Sequence, residues 1–380
     1  MRGRADQQSP LFHTFSVEDR IRADHPLRDV KRRVDRILGA MSPRFAAAYS
    51  TQGRPSVPPE RLLKALLLLT LYSIRSERQL CEAIDVNLLF RWFLDLQPGD
   101  NAFDPTTFTH NRKRLDDHHL TKMFFDAVVA EALTAGLCSE HFSVDGTLIE
   151  SFASAKSFQP KGATGDDSDN TNGFKPRNAG VDFRGEKRTN ETHASRTDPE
   201  AKLYRKSVGR EAKLSHMGHT MTENRHGLIV TVVVTEANGT AERTAAFAML
   251  DELKATHEIQ PTTLGADKGY DAGEFFQALE GRGIEPHVPL VKAPRDPATV
   301  ADKRQVPGIE ARQRMKTRMA SDGYRLSQKC RKKIEEGFGW LKTIGGLERS
   351  RVVGRWKLRQ LLEIGAAAYN LMRLMKLKPA

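Results

Sequence analysis

The chain has 380 residues and a formal net charge of +12, with an isoelectric point near 9.6. That length allows two or three domains with real cores. Arginine and lysine recur along the whole chain rather than in one tail, so the charge favours nucleic acid over a membrane surface. Three widely separated cysteines, Cys81, Cys138 and Cys330, show no CxxC spacing. They argue against a disulfide framework and a zinc ribbon, and for a reduced intracellular setting.

Residues 1–138 read as mostly helical. The start, MRGRADQQSP, has no apolar signal region. Residues 27–38 are periodic, and Pro58-Pro59-Glu60 opens a helix through residue 74. Its apolar run, LLKALLLLTLYSI, is broken by Lys64 and too short to span a bilayer. Ser76 caps a helix over residues 80–84, and residues 88–96 (LLFRWFLDL) make another. Asp104-Pro-Thr-Thr caps a basic helix over residues 108–115 that carries His110, Arg112, Lys113 and Arg114. Two short helices and a basic third match a helix-turn-helix DNA reader, with an ordinary helical bundle as the alternative.

From His141 the texture changes. Residues 141–149 (HFSVDGTLI) form a strand, followed by a long polar stretch, about 150–213, that reads as a loop or an insertion. Residues 217–222 and the β-branched run 228–235 (LIVTVVVT) are strands. A helix over 240–256, a strand over 262–266, a helix over 273–281 and a strand over 284–289 follow. Residues 291–320 read as a basic, proline-containing loop. A helix carrying Glu335 comes next, then a last helix over 358–377. No internal repeat is found. The order predicts an α/β protein with a mixed sheet covered by helices, as in a ribonuclease H-like fold. The corresponding domains are 1–138, 139–345 and a C-terminal segment 346–380.

Three acids are placed for chemistry. Asp145, in Val-Asp-Gly-Thr-Leu, interrupts an apolar strand, which costs free energy unless the carboxylate is paired or metal-bound. Asp267, in Leu-Gly-Ala-Asp-Lys-Gly-Tyr, follows a strand at a glycine turn, where α/β proteins place ligand groups. On the next-to-last helix Arg331, Glu335, Phe338 and Lys342 share one stripe, so a single carboxylate is flanked by two cations. Glu335 lies at the edge of the apolar stripe, whereas Glu336 faces solvent. Such carboxylates suit Mg2+, which takes oxygen ligands and keeps several waters. Two such ions would clamp the attacking and leaving oxygens of a phosphodiester. Arg331 and Lys342 are placed to hold phosphate. No zinc spacing, GxSxG or Walker loop occurs, so neither hydrolase-elbow chemistry nor ATP use is indicated.

Over nearly its whole length the chain resembles the DDE transposases of bacterial insertion sequences, specifically the IS5 group of the IS4-like superfamily. The resemblance rests on GRPSVPPERLLKALLLLTLYSIRSERQL, NLLFRWF and TTFTHNR in the first third. In the core it rests on VDGTLIESFASAKSF, DFRGEKRTNETHASRTDPEAKLYRK, GHTMTENRHGLIV, GTAER, LGADKGYD and KCRKKIEEGFGWLKTIGGLERSR. It implies the triad Asp145, Asp267 and Glu335, acting with Mg2+ or with Mn2+ in its place. Arg331, Glu335 and Lys342 fit the signature spacing around the glutamate, and Gln328 stands where the signature has tyrosine. The resemblance further implies binding of terminal inverted repeats, cleavage of the element ends by hydrolysis, and transfer of the 3′-hydroxyl to target DNA. It implies a homodimer that pairs two ends in the bacterial cytoplasm, at the nucleoid, with no membrane and no ATP. Arg112 and Arg114, the basic residues of 292–318 and those from Arg349 to Arg359, Arg351 among them, are the expected DNA contacts.

Overall fold

The computed structural model describes residues 16–50, 52–53, 55–161, 188–205, 209 and 211–377. Among the described residues eight helices precede the sheet: α1 (Val17–Arg20), α2 (Leu27–Ala40), α3 (Ser42–Ala48), α4 (Pro59–Leu71), α5 (Glu77–Val86), α6 (Leu88–Phe93), α7 (Thr106–Asp117) and α8 (Leu120–Thr134). Their boundaries follow local chemistry. Ser76 Oγ accepts from the Gln79 amide at the start of α5, and Asn87 Oδ1 accepts from Leu89 and Phe90 at the start of α6. Helix α4 ends at Leu71, three residues short of the predicted stop, and α8 was not singled out in the sequence.

The sheet is built from β1 (His141–Glu150), β4 (Lys202–Tyr204), β5 (Lys213–Glu223), β6 (Ile229–Glu236), β7 (Thr263–Gly265) and β8 (Glu285–His287). Two further strands, β2 (Phe158–Pro160) and β3 (His193–Ser195), pair with each other inside the polar stretch. The main order is β4-β5-β1-β7-β8, with β6 also on β5. Strands β5 and β6 run antiparallel to their neighbours, whereas β7 and β8 run parallel to β1 and to each other. An antiparallel meander joined to parallel strands is the ribonuclease H-like arrangement predicted above. Residues 162–187, 206–208 and 210 of the predicted insertion lie outside the described residues.

Among the described residues five longer helices follow: α9 (Ala241–His257), α10 (Gly273–Gly281), α11 (Val306–Arg318), α12 (Asp322–Thr343) and α13 (Arg355–Leu374). Helix α11 corrects the expectation of a loop over 291–320. Only Ala311 and Met315 of α11 are buried, so its apolar periodicity is too sparse to read. The last helix is no appendage. Thirteen residues of α13, including the small run Gly365 to Ala368, are buried, and it packs on α4, α8, α12 and β6. Core residues of the N-terminal helices, the sheet and α13 form one continuous apolar cluster. Side chains alternate across a strand. Leu362 of α13 lies beside Gly218, so α13 covers that face of β5, and α9 covers the other.

Candidate active site

The cleft arises from a mismatch in strand length. Strand β7 pairs with β1 only from His141 to Ser143 and stops at Gly265. The rest of β1, beginning at Asp145, therefore runs past the parallel strands and can be reached from beyond their ends. Asp267 follows β7 directly. Its carboxylate accepts from the Gly269 amide at 2.7 Å, which fixes it at the head of a tight turn. Helix α12 crosses the same opening. Asp145, Asp267, Glu335, Arg331 and Lys342 thus line one cleft of about 590 Å³, with Gly146, Tyr204, Met217, Glu242 and Phe338. A roomier cavity, about 740 Å³, opens near Ser139, Asn224 and Ser327 under the first half of α12. Among the described residues Glu285 is the one carboxylate that lines it, so it is less suited to phosphodiester chemistry.

Burial pushes Asp145 up from its ordinary value to about 6, and repulsion from Asp267 and Glu335 adds to the shift. The Gly146 amide at 2.8 Å and the Arg331 guanidinium oppose it. Arg331 stands 3.9 Å from Asp145 and 3.6 Å from Glu335, so one cation is shared by two acids. The choice between neighbouring glutamates is also visible. Glu336 turns away and pairs with Arg373 of α13 at 2.8 Å, while Glu335 stays in the cleft with most of its side chain accessible. Gln328, at the signature tyrosine position, donates to the His287 carbonyl at 2.6 Å and does not line the cleft.

Glu242 stands in the first turn of α9. It proves to be a fourth carboxylate of the cleft. Burial, then Asp267 and Asp145, push it up to about 7. Its only sequence signal was its place in GTAER; its proximity to Asp145 and Asp267 is purely three-dimensional.

The donors suit a hard cation: they are all oxygens, and repulsion from Asp267 raises both Asp145 and Glu242. Among the described residues no three acidic, histidine or cysteine side chains stand close enough to enclose an ion by themselves. A hydrated Mg2+ does not need that, because one or two carboxylates and a phosphate suffice.

The expected DNA contacts separate into two groups. Arg112 is buried in an ion pair with Glu77 and is withdrawn from any surface role, which corrects the sequence reading. Arg351 is half-buried and donates to the Ile74 carbonyl, tying the segment after α12 to the N-terminal helices. Arg114 stacks 4.4 Å from the Tyr49 ring and bonds Asn111. Arg349 is exposed near the end of β1, against the carbonyls of Ser151 and Phe152. Within 292–318, Arg312 forms a bidentate pair with Asp271, and Arg314 and Arg318 share Glu280. Those three cations hold α11 to α10 and its preceding turn. Lys292, Arg295, Lys303 and Lys316 are exposed.

Residues 138–371, more than half of the chain, match the family model of the transposase DDE domain. Residues 15–114 match a second model, a transposase domain (DUF772). No curated protein matches. Among solved structures, the Mos1 transposase paired-end complex with left transposon end is 12% identical, with 78% of this chain and 81% of that one covered at a TM-score of 0.21. A pre-cleavage Mos1 transpososome is 11% identical, with 80% and 83% covered at 0.20. At these scores the fold assignment rests on the strand order and not on the neighbours.

Proposed function

The chain belongs to the transposase DDE domain family, and from that premise we propose that it is the transposase of a bacterial insertion sequence of the IS5 group, working through Asp145, Asp267 and Glu335. As a transposase it binds DNA, cleaves it and carries out strand transfer. In this reading it grips the terminal inverted repeats of its element. Hydrolysis frees a 3′-hydroxyl at the element end, and that hydroxyl attacks target DNA by transesterification. Neither step needs ATP or a covalent protein–DNA bond. The observation that carries the reading is that three acids from three separate elements line one cleft, with Arg331 and Lys342 on the helix of the third.

Bound divalent ions, Mg2+ or Mn2+ in its place, would polarise the phosphodiester and supply a nucleophile at neutral pH. The chain's own residues prepare for this. Asp145 and Asp267 sit at a strand and at a strand end, which is rigid support for ligands. Arg331 opposes the upward push of burial on Asp145 and stands 3.6 Å from Glu335. Lys342, two turns beyond Glu335, reaches the outer cleft, where a phosphate would lie. Arg349 and the exposed face of α7, with Thr109, His110 and Lys113, would extend the backbone track. No helix among the described residues is long and apolar enough to cross a membrane. We place the protein at the nucleoid of a bacterial cytoplasm, as a dimer when it pairs two ends.

The test is an in vitro reaction on a labelled element end with Mg2+ or EDTA. Wild type should cut and join only with metal, and Glu335→Gln should bind without doing either. Cutting without joining would favour a ribonuclease H-like nuclease or resolvase. Binding without cutting by wild type would favour a repressor.

A further inference from the structure

The two ends of the cleft differ in their counter-charge. At the Glu335 end Arg331 reaches both Asp145 and Glu335. At the other end stand Asp267 and Glu242; Arg243 bonds the Gly269 carbonyl there at 3.5 Å and draws Glu242 down from outside, but among the described residues neither acid has an ion-pair partner within 4 Å. The two carboxylates face the same spot. A Cβ placed on Gly269 would lie 2.9 Å from Asp267 Oδ1 and 3.4 Å from Glu242 Oε2, so glycine leaves the space between them open. Gly146 does the same one strand over, where a Cβ would lie 3.0 Å from Glu242 Cγ and 3.1 Å from its Oε1.

A second observation is independent of the acids. His219 is fully buried, and its Nδ1 has no hydrogen-bond partner. That atom lies 3.0 Å from the same Gly146 Cβ position, so it points at the space beside Glu242. Its tautomer follows from its neighbours. Thr235 Oγ1 donates to the Glu236 carbonyl and must therefore accept from His219 Nε2–H. Nδ1 is left as a bare lone pair, and burial, which lowers the imidazole to about 4, keeps it neutral. The Tyr270 hydroxyl, also fully buried and near Glu242, Asp145 and Asp267, is unpartnered as well. Buried polar atoms are almost always satisfied, so these two call for a partner that arrives with a hydrated ligand.

We propose that Glu242 and Asp267 hold a divalent cation of their own, on the far side of Asp145 from Glu335, with His219 and Tyr270 contacting its water shell. The cleft would then carry four carboxylates and two cation positions, each served by a pair of acids, which is the number a hydrated Mg2+ or Mn2+ requires. This rests on reading Asp145, Asp267 and Glu335 as ion ligands.

The test counts bound Mn2+ on the full-length protein by paramagnetic resonance and calorimetry, with circular dichroism as the check on folding. Wild type should bind two ions. Glu242→Gln should bind one, and Glu335→Gln should lose the other. Glu242→Asp, which keeps the charge but withdraws it by one methylene, should bind the second ion about tenfold more weakly or worse. If Glu242→Gln and Glu242→Asp, both folded, bind two ions as tightly as wild type, the proposal is overturned while the triad reading stands. If wild type binds no Mn2+, with or without duplex DNA, the triad reading itself fails.

Discussion

Replacing Asp145 by Asn should stabilise the metal-free protein at neutral pH while ending catalysis. Burial and the neighbouring acids raise this carboxyl from its ordinary 3.8 to about 6. A raised carboxyl pKa means the folded chain holds the proton more tightly than the unfolded chain. The associated stability is fully present below about pH 4 and is lost as pH rises through about 6. Two units correspond to about 3 kcal/mol. The Asn side chain is neutral throughout and escapes that loss. Urea unfolding in EDTA should therefore show wild type and variant nearly level at pH 4, with the variant ahead by about 3 kcal/mol at pH 8. Adding Mg2+ at about a hundredfold over its dissociation constant should return roughly 2.7 kcal/mol to wild type and much less to the variant. A stability difference that stays flat between pH 4 and pH 8 would refute the claim that Asp145 is held in a repulsive, desolvated site.

Other changes test the geometry around it. Glu336→Gln breaks only a surface pair with Arg373, so it should cost no more than about 1 kcal/mol and leave cleavage at the wild-type rate; a loss like that of Glu335→Gln would show that the two glutamates were assigned the wrong way round. Gly146→Ala puts a methyl 3.0 Å from both Glu242 Cγ and His219 Nδ1, and should lower the single-turnover cleavage rate about tenfold with an unchanged circular dichroism spectrum. Asp198→Ala removes the buried acceptor shared by Ser151 at 2.7 Å and His216 at 2.8 Å. Urea titration should show a loss of about 3–5 kcal/mol, since the change strands both partners without water.

The legible parts of this chain were those with a local signature. The ends of α5 and α6 follow from Ser76 and Asn87, because capping is decided within three residues. The strand character of β6 follows from its β-branched run. Asp145 and Glu335 were findable because each breaks or borders an apolar pattern in its own element. What escaped depends on residues far apart in the chain. Arg112 looked like a DNA contact because its helix is basic, yet Glu77, 35 residues earlier, draws it inward. The polar stretch after β1 read as a loop or an insertion, yet Asp198 within it buries a hydrogen-bond network with Ser151, just past the end of β1, and His216 of β5. Glu242 lies 97 residues from Asp145 and 25 from Asp267, and nothing in GTAER marks it as an acid of the cleft. The same cause explains all three. A charge takes its role from the sign of its spatial neighbours, and in a mixed sheet those neighbours are set by strand order. Once β7 is known to stop at Gly265, the acids past its end are committed to one another, and the imbalance at the Glu242 end becomes the clearest mark of where a cation belongs.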